Sequence, residues 1–134
     1  METQSAIVHK QTDDNRDEYA LVLQVALYAG ELLVRNGAEM YRVEETIVKI
    51  SAAGGARGIT PFVTPTLVFI ADGDGRSFIY TKNIKKRSNN ITKIALVNDF
   101  SRKFVAGCIK LEEAMQQLRE IDEHKGYSYR FTLL

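Results

Sequence analysis

The chain has 134 residues, 45% hydrophobic and 26% charged, with a formal net charge of +1. That length fits one domain with its own core, and a charge so near zero excludes a general nucleic-acid binder, which would be strongly basic. The single cysteine, Cys108, excludes an intrachain disulfide and fits a reducing compartment.

Residues 1–13 are polar and lack periodicity, which predicts a disordered arm without the apolar centre of a signal peptide. A first helix is expected over 14–36. Leu21, Val25, Tyr28 and Leu32 form one apolar stripe, and Val22, Ala26, Ala29 and Leu33 form its neighbour. Gln24, Gly30 and Glu31 interrupt that run, so it reads as a buried helix and not a membrane span. Gly37 suits the residue just past the helix end, because glycine takes positive φ without a steric penalty. A second helix is expected over 39–53, with Met40, Val43, Ile47 and Ile50 as its apolar stripe; Gly54 and Gly55 end it.

The period then changes. Thr66 to Ile70 and Ser77 to Thr81 are rich in β-branched and aromatic residues, and Asp72-Gly73-Asp74-Gly75 lies between them. Asp-Gly steps favour tight reversals, so 66–82 reads as a β-hairpin. A lone hairpin is marginal in water; Gly58 to Val63 is the candidate third strand, and Pro61 and Pro65 restrict it to an edge. Helices over 91–106 and 111–123 complete the chain. Ile91, Ile94, Val97, Ser101 and Phe104 mark the inner side of the first, and Leu111, Ala114, Met115, Leu118 and Ile121 that of the second. The predicted class is α+β, with four main helices packed around a small antiparallel sheet built on the hairpin.

No residue pattern predicts catalysis or a metal. His9 and His124 have no nucleophile beside them, and Cys108 has no histidine near it and reads as a small buried hydrophobe. Asp72-x-Asp74 lacks the later ligands of a calcium loop. No cofactor is expected. The basic run Lys82, Lys85, Lys86 and Arg87 reads either as a solvated loop or as a contact for an anionic membrane surface. The densest charge lies in Glu39, Arg42, Glu44 and Glu45. Arg42 is spaced to pair with Glu39 or Glu45, and Glu45 with Lys49, which is enough to stabilise a helix surface. The same groups suit an amino acid, because an arginine grips a carboxylate in two-pronged fashion and a glutamate accepts from an ammonium. Thr64 and Thr66 join that set if the hairpin packs on the second helix. Both readings stay open.

The run Asn36-Gly37-Ala38-Glu39-Met40-Tyr41-Arg42-Val43-Glu44-Glu45-Thr46-Ile47-Val48-Lys49-Ile50 resembles the signature of the soluble N-terminal domain of the threonine/serine exporter family of membrane proteins. Four further segments follow the family's order: Ala26 to Leu33, Phe62 to Thr66, Asn90 to Asn98 and Leu111 to Ala114. The family carries transmembrane segments, and none follows here. The resemblance therefore implies a cytoplasmic domain, 14–126, with a tail at 127–134 leading toward a membrane segment absent from this chain. Its implied role is to regulate, gate or assemble the membrane part, as partner of its own or a cognate transmembrane domain, in a homo-oligomer. Nucleic acid is not an expected partner. Two other readings remain: a small hydrolase using carboxylates such as Glu39, Glu44 or Asp99, and a freestanding sensor of an amino acid or carboxylate.

Overall fold

In the computed structural model the backbone is described for residues 2–72, 79–84 and 86–124, and side chains for 16–71, 81–84 and 86–124. The order is α1 (Glu2–Arg35), α2 (Met40–Ala53), β1 (Ile59–Val63), β2 (Leu67–Asp72), β3 (Ile79–Asn83), α3 (Ile91–Val105) and α4 (Leu111–Glu123). The α+β class and the four main helices are as the periodicity predicts. The tip of the hairpin, Lys85 and the tail expected at 127–134 fall outside the described residues.

α1 is the centre of the molecule and packs against α2, α3, α4, β2 and β3. Its two neighbouring stripes explain why. Val22, Val25, Ala26, Ala29, Leu32 and Leu33 are all buried, so more than one helical face meets other elements. Helix α1 also starts at Glu2, so residues expected to form a disordered arm are helical. Polar composition removes the apolar periodicity that marks a helix in sequence, without removing the capacity of Glu, Gln, Lys and Ala to form one.

Two glycines set the close packing and the turns. Gly37, at φ 96°, closes α1: Ala38 N donates to Leu33 O at 2.9 Å and Gly37 N to Val34 O at 3.1 Å. Gly54 ends α2 directly against α1, where a Cβ would overlap both γ-methyls of Val22. The chain then turns back, and β1 runs along α2.

The sheet is antiparallel in the order β1-β2-β3. Its register pairs Val63 with Val68 and Phe62 with Phe69, then Val68 with Lys82 and Phe69 with Thr81. Paired residues share a face. Ile59, Val68 and Ile70 therefore face the helices, β1 toward α2 and β2 toward α1, and are buried, while Thr60, Phe62, Phe69 and Thr81 face outward.

α3 starts at Asn90, whose side chain accepts from Lys93 N at 3.2 Å. Its inner side is Leu96, Val97, Phe100, Ser101 and Phe104. Ile91, expected on that side, is 81% exposed, and Ile94 is only partly buried. The fully buried face begins with Leu96, while the first turn makes polar contact instead, Lys93 reaching the Asp122 carbonyl. Met40, at the first turn of α2, is likewise 36% exposed. Cys108, expected to be buried, is exposed in the turn before α4.

Candidate functional site

The charged stretch of α2 is a surface feature. Glu39 precedes the helix, and Glu39, Arg42, Glu44 and Glu45 are all exposed. Glu45 accepts from Lys49 Nζ at 2.5 Å, which holds its carboxyl below the usual carboxylate range. Arg42 donates to the Tyr41 hydroxyl at 3.4 Å and lies 5.9 Å from the centre of the Tyr41 ring. That contact, more than the charges of Glu39 and Glu45, raises its pKa above the ordinary arginine value.

A groove of about 450 Å³ runs between α2 and α3. Arg42, Glu45 and Lys49 line one wall, and Asn98, Ser101 and Arg102 the other. Two arginines and a glutamate over such a volume can hold a small zwitterion or anion. Thr64 and Thr66 are not among the residues lining it. The Thr64 hydroxyl works inside the β1–β2 turn, accepting from Leu67 N at 2.9 Å and donating to Leu67 O at 3.1 Å. Thr66 holds the other side of the same turn, its carbonyl accepting from Ile84 N at 2.9 Å.

The three carboxylates considered for hydrolysis do not converge. Asp99 lines a second groove of about 570 Å³ between α3 and α4, with Glu112, Glu113 and Glu120. Glu39 and Glu44 line neither groove. Asp99 is paired with Lys103 at 2.9 Å.

The most tightly organised polar group is one that sequence reasoning missed. Tyr28, Glu31 and Arg35 lie on one side of α1 at spacings of three and four residues, facing α4 and β3. Arg35 bridges two carboxylates, Glu31 at 2.8 Å and Asp122 at 2.5 Å. Tyr28 donates its hydroxyl to the other oxygen of Asp122 at 2.8 Å. Lys93 Nζ donates to the Asp122 carbonyl at 2.6 Å, and Lys82 Nζ lies 3.8 Å from Glu31. The Glu31 side chain is only 7% exposed, and its Oε2 has no hydrogen-bond partner among the described residues. Burial works against the charge on Arg35, but the hydrogen bond it donates to Glu31 and the two carboxylate charges outweigh it and raise its pKa. The signal was present: Glu31 and Arg35 are oppositely charged, four apart, at the end of a long apolar run.

Lys82 therefore leans toward Glu31, although half of its side chain stays exposed. It leaves the basic run it shares in sequence with Lys86 and Arg87, which stay exposed. A second polar lock lies beside the first. Asn36 is buried and donates to Leu32 O at 2.7 Å, while its Oδ1 accepts from the Ser88 hydroxyl and from Asn90 N at 3.3 Å. The end of α1 is thus tied to the start of α3.

Burial, then the Asp122 hydrogen bond and charge, push the Tyr28 phenol well above its ordinary pKa of about 10. A raised folded-state pKa supplies stability that is complete below the unfolded value and is lost as pH rises through the folded one. The protein should therefore lose stability as pH climbs past about 10. Tyr28→Phe should flatten that limb while lowering stability at neutral pH. Urea midpoints measured across alkaline pH check it; an unchanged alkaline slope in the variant would show that the phenol is not coupled to folding.

Among the described residues, no helix is long and apolar enough to cross a membrane, and no group of three or more His, Cys, Asp or Glu is placed to hold a metal ion. Neither the curated proteins nor the solved structures give a match to the chain. The family model for the threonine/serine exporters, ThrE, matches residues 24–134. That span takes in the Tyr28–Glu31–Arg35–Asp122 network, the whole of α2 and both grooves. The chain belongs to the threonine/serine exporter family.

Proposed function

We propose that this chain is the part of a threonine/serine exporter that lies outside the lipid at the cytoplasmic face, where it regulates, gates or assembles the membrane part. One observation carries the reading. The family match covers 24–134, yet no described helix is long and apolar enough to cross a membrane. A segment of an exporter that does not itself form the path must act on the part that does. The two polar locks support this role. They tie α1 to β3, α4 and the start of α3, so a push on one element is transmitted to the others with little internal slack.

The exposed face of α2 is the contact we assign to the membrane part. The adjoining groove is the candidate place for the amino acid itself, with Arg42 for the carboxylate and Glu45 for the ammonium; Glu39 and Glu44 lie outside it, on the same exposed stretch. Thr64 and Thr66 stand apart at the β1–β2 turn and would contribute only as a second contact point. The complete transporter assembles as a homo-oligomer in this reading, and Lys86 and Arg87 sit near anionic headgroups.

Threonine and serine efflux from cells with and without this chain tests the proposal. Removal should abolish efflux, and the wild-type chain should restore it. Arg42→Ala should leave the melting temperature of the purified chain unchanged, because Arg42 is fully exposed. The same variant should fail to restore efflux. Normal efflux with Arg42→Ala, together with no heat of binding for threonine or serine, would remove the α2 site.

A further inference from the structure

Among the described residues no element packs on the outer face of the sheet, and its chemistry is unusual for a free surface. Phe62 and Phe69 stack there with ring centres 4.6 Å apart and planes 10° from parallel. Phe62 is 46% exposed. By register, Thr60, Leu67, Ala71, Thr81 and Asn83 share that face, so among the described residues it carries no charge. Charge begins at one end of it. Arg87 donates to Pro65 O at 3.5 Å, which places a guanidinium at the β1–β2 turn, at the end of the sheet where Phe62 and Leu67 lie. Lys86 is exposed next to it, and neither forms an ion pair with a carboxylate among the described residues.

We infer that this face docks on an anionic lipid surface, with Phe62 entering the headgroup region and Lys86 and Arg87 meeting lipid phosphates. Charge complementarity selects this occupant. An uncharged aromatic face with cations at its rim matches a headgroup layer, which offers apolar depth and negative charge together. A second copy adding a strand at the β1 edge is disfavoured by Pro61. Thr64 N bonds to Leu67 O, so the backbone N–H at position 61 would point away from β2, and proline removes the donor such a strand would need. The inference deepens the membrane-face reading above. It replaces a run of four basic residues by two of them together with an aromatic pair.

The experiment is flotation of the purified chain with vesicles of phosphatidylcholine alone and of phosphatidylcholine mixed with phosphatidylglycerol. Binding is expected to the mixed vesicles and to weaken as salt is added. Lys86→Glu with Arg87→Glu should lower the partition coefficient by at least about thirtyfold, from the surface attraction of two basic residues. Phe62→Ser should lower it about tenfold, from one partly inserted ring. Tyr41→Ser, an exposed aromatic on α2, should change nothing. Circular dichroism and melting of each variant establish that the fold is kept.

Equal binding to both vesicle types, or binding indifferent to both sets of variants, would overturn the inference. Sedimentation showing a dimer that Phe62→Ser dissolves, with no flotation, would assign the face to a second copy instead. The efflux measurement separates this inference from the functional proposal. Lost efflux on removal of the chain with no vesicle binding ends this inference alone; vesicle binding with unaffected efflux ends the proposed function alone.

Discussion

Arg35→Met is expected to lower the stability of this protein by about 3–5 kcal/mol, because it leaves a buried carboxylate without its main partner. Arg35 is the only group that touches both Glu31 and Asp122 among the described contacts. The Glu31 side chain is 7% exposed, and water cannot take over the role of the guanidinium. Lys82 offsets part of the loss, but at 3.8 Å it is beyond hydrogen-bond reach. Asp122 suffers less, since it is a quarter exposed and keeps the Tyr28 hydroxyl. The companion variant Glu31→Leu with Arg35→Met removes the stranded charge together with its partner and should recover most of the loss. Urea denaturation of the two variants gives the comparison. A loss under about 1 kcal/mol for Arg35→Met would mean the network is solvated in solution, as exposed pairs are.

Leu32→Ala is expected to cost about 2–5 kcal/mol. Leu32 is fully buried on α1, one turn before the lock formed by Asn36 and Ser88. Its side chain belongs to the core that also includes Val43 and Ile47 of α2 and Val97 of α3. A rigid core collapses only partly around a missing side chain, so both the lost burial and the residual cavity count. Chemical denaturation measures it. A change below about 0.5 kcal/mol, the range of ordinary surface substitutions, would mean that α1 is peripheral in solution.

The two grooves differ in what they present. The α2–α3 groove mixes Arg42, Lys49 and Arg102 with Glu45, whereas the α3–α4 groove is dominated by carboxylates. The second groove also carries Lys103, but that cation is already paired with Asp99, whereas the first groove sets two arginines beside one glutamate. That distinction makes α2, and not α4, the face to test for amino-acid binding.

Much of the fold was legible because its signals are local. Apolar residues at helical spacing mark α1, α2 and α4, Gly37 marks the end of α1, and the alternation with Asp-Gly marks the hairpin. The edge position of β1 follows from Pro61, since a ladder cannot use a residue without an N–H. The failures are equally physical. The helical start at Glu2 lacks an apolar stripe, and Ile91 and Met40 sit in first turns where the periodicity continues but those two side chains stay exposed.

The charged signature on α2 drew the eye because charge density is visible in sequence, yet exposure is not. Glu31 illustrates the converse. In sequence it is an interruption in an apolar run; in the fold its carboxylate is buried, held by Arg35 and approached by Lys82 of β3. Its relation to Asp122, through an arginine 87 residues away from that aspartate, depends on α4 returning to lie beside α1. By itself the sequence determined the helices, the hairpin and the family, since each rests on residues a few positions apart. Tertiary structure alone decided which charges are buried, that Lys82 approaches Glu31 while Lys86 and Arg87 have no carboxylate partner among the described residues, and that Phe62 and Phe69 stack on the outer face of the sheet, because each depends on contacts between distant segments.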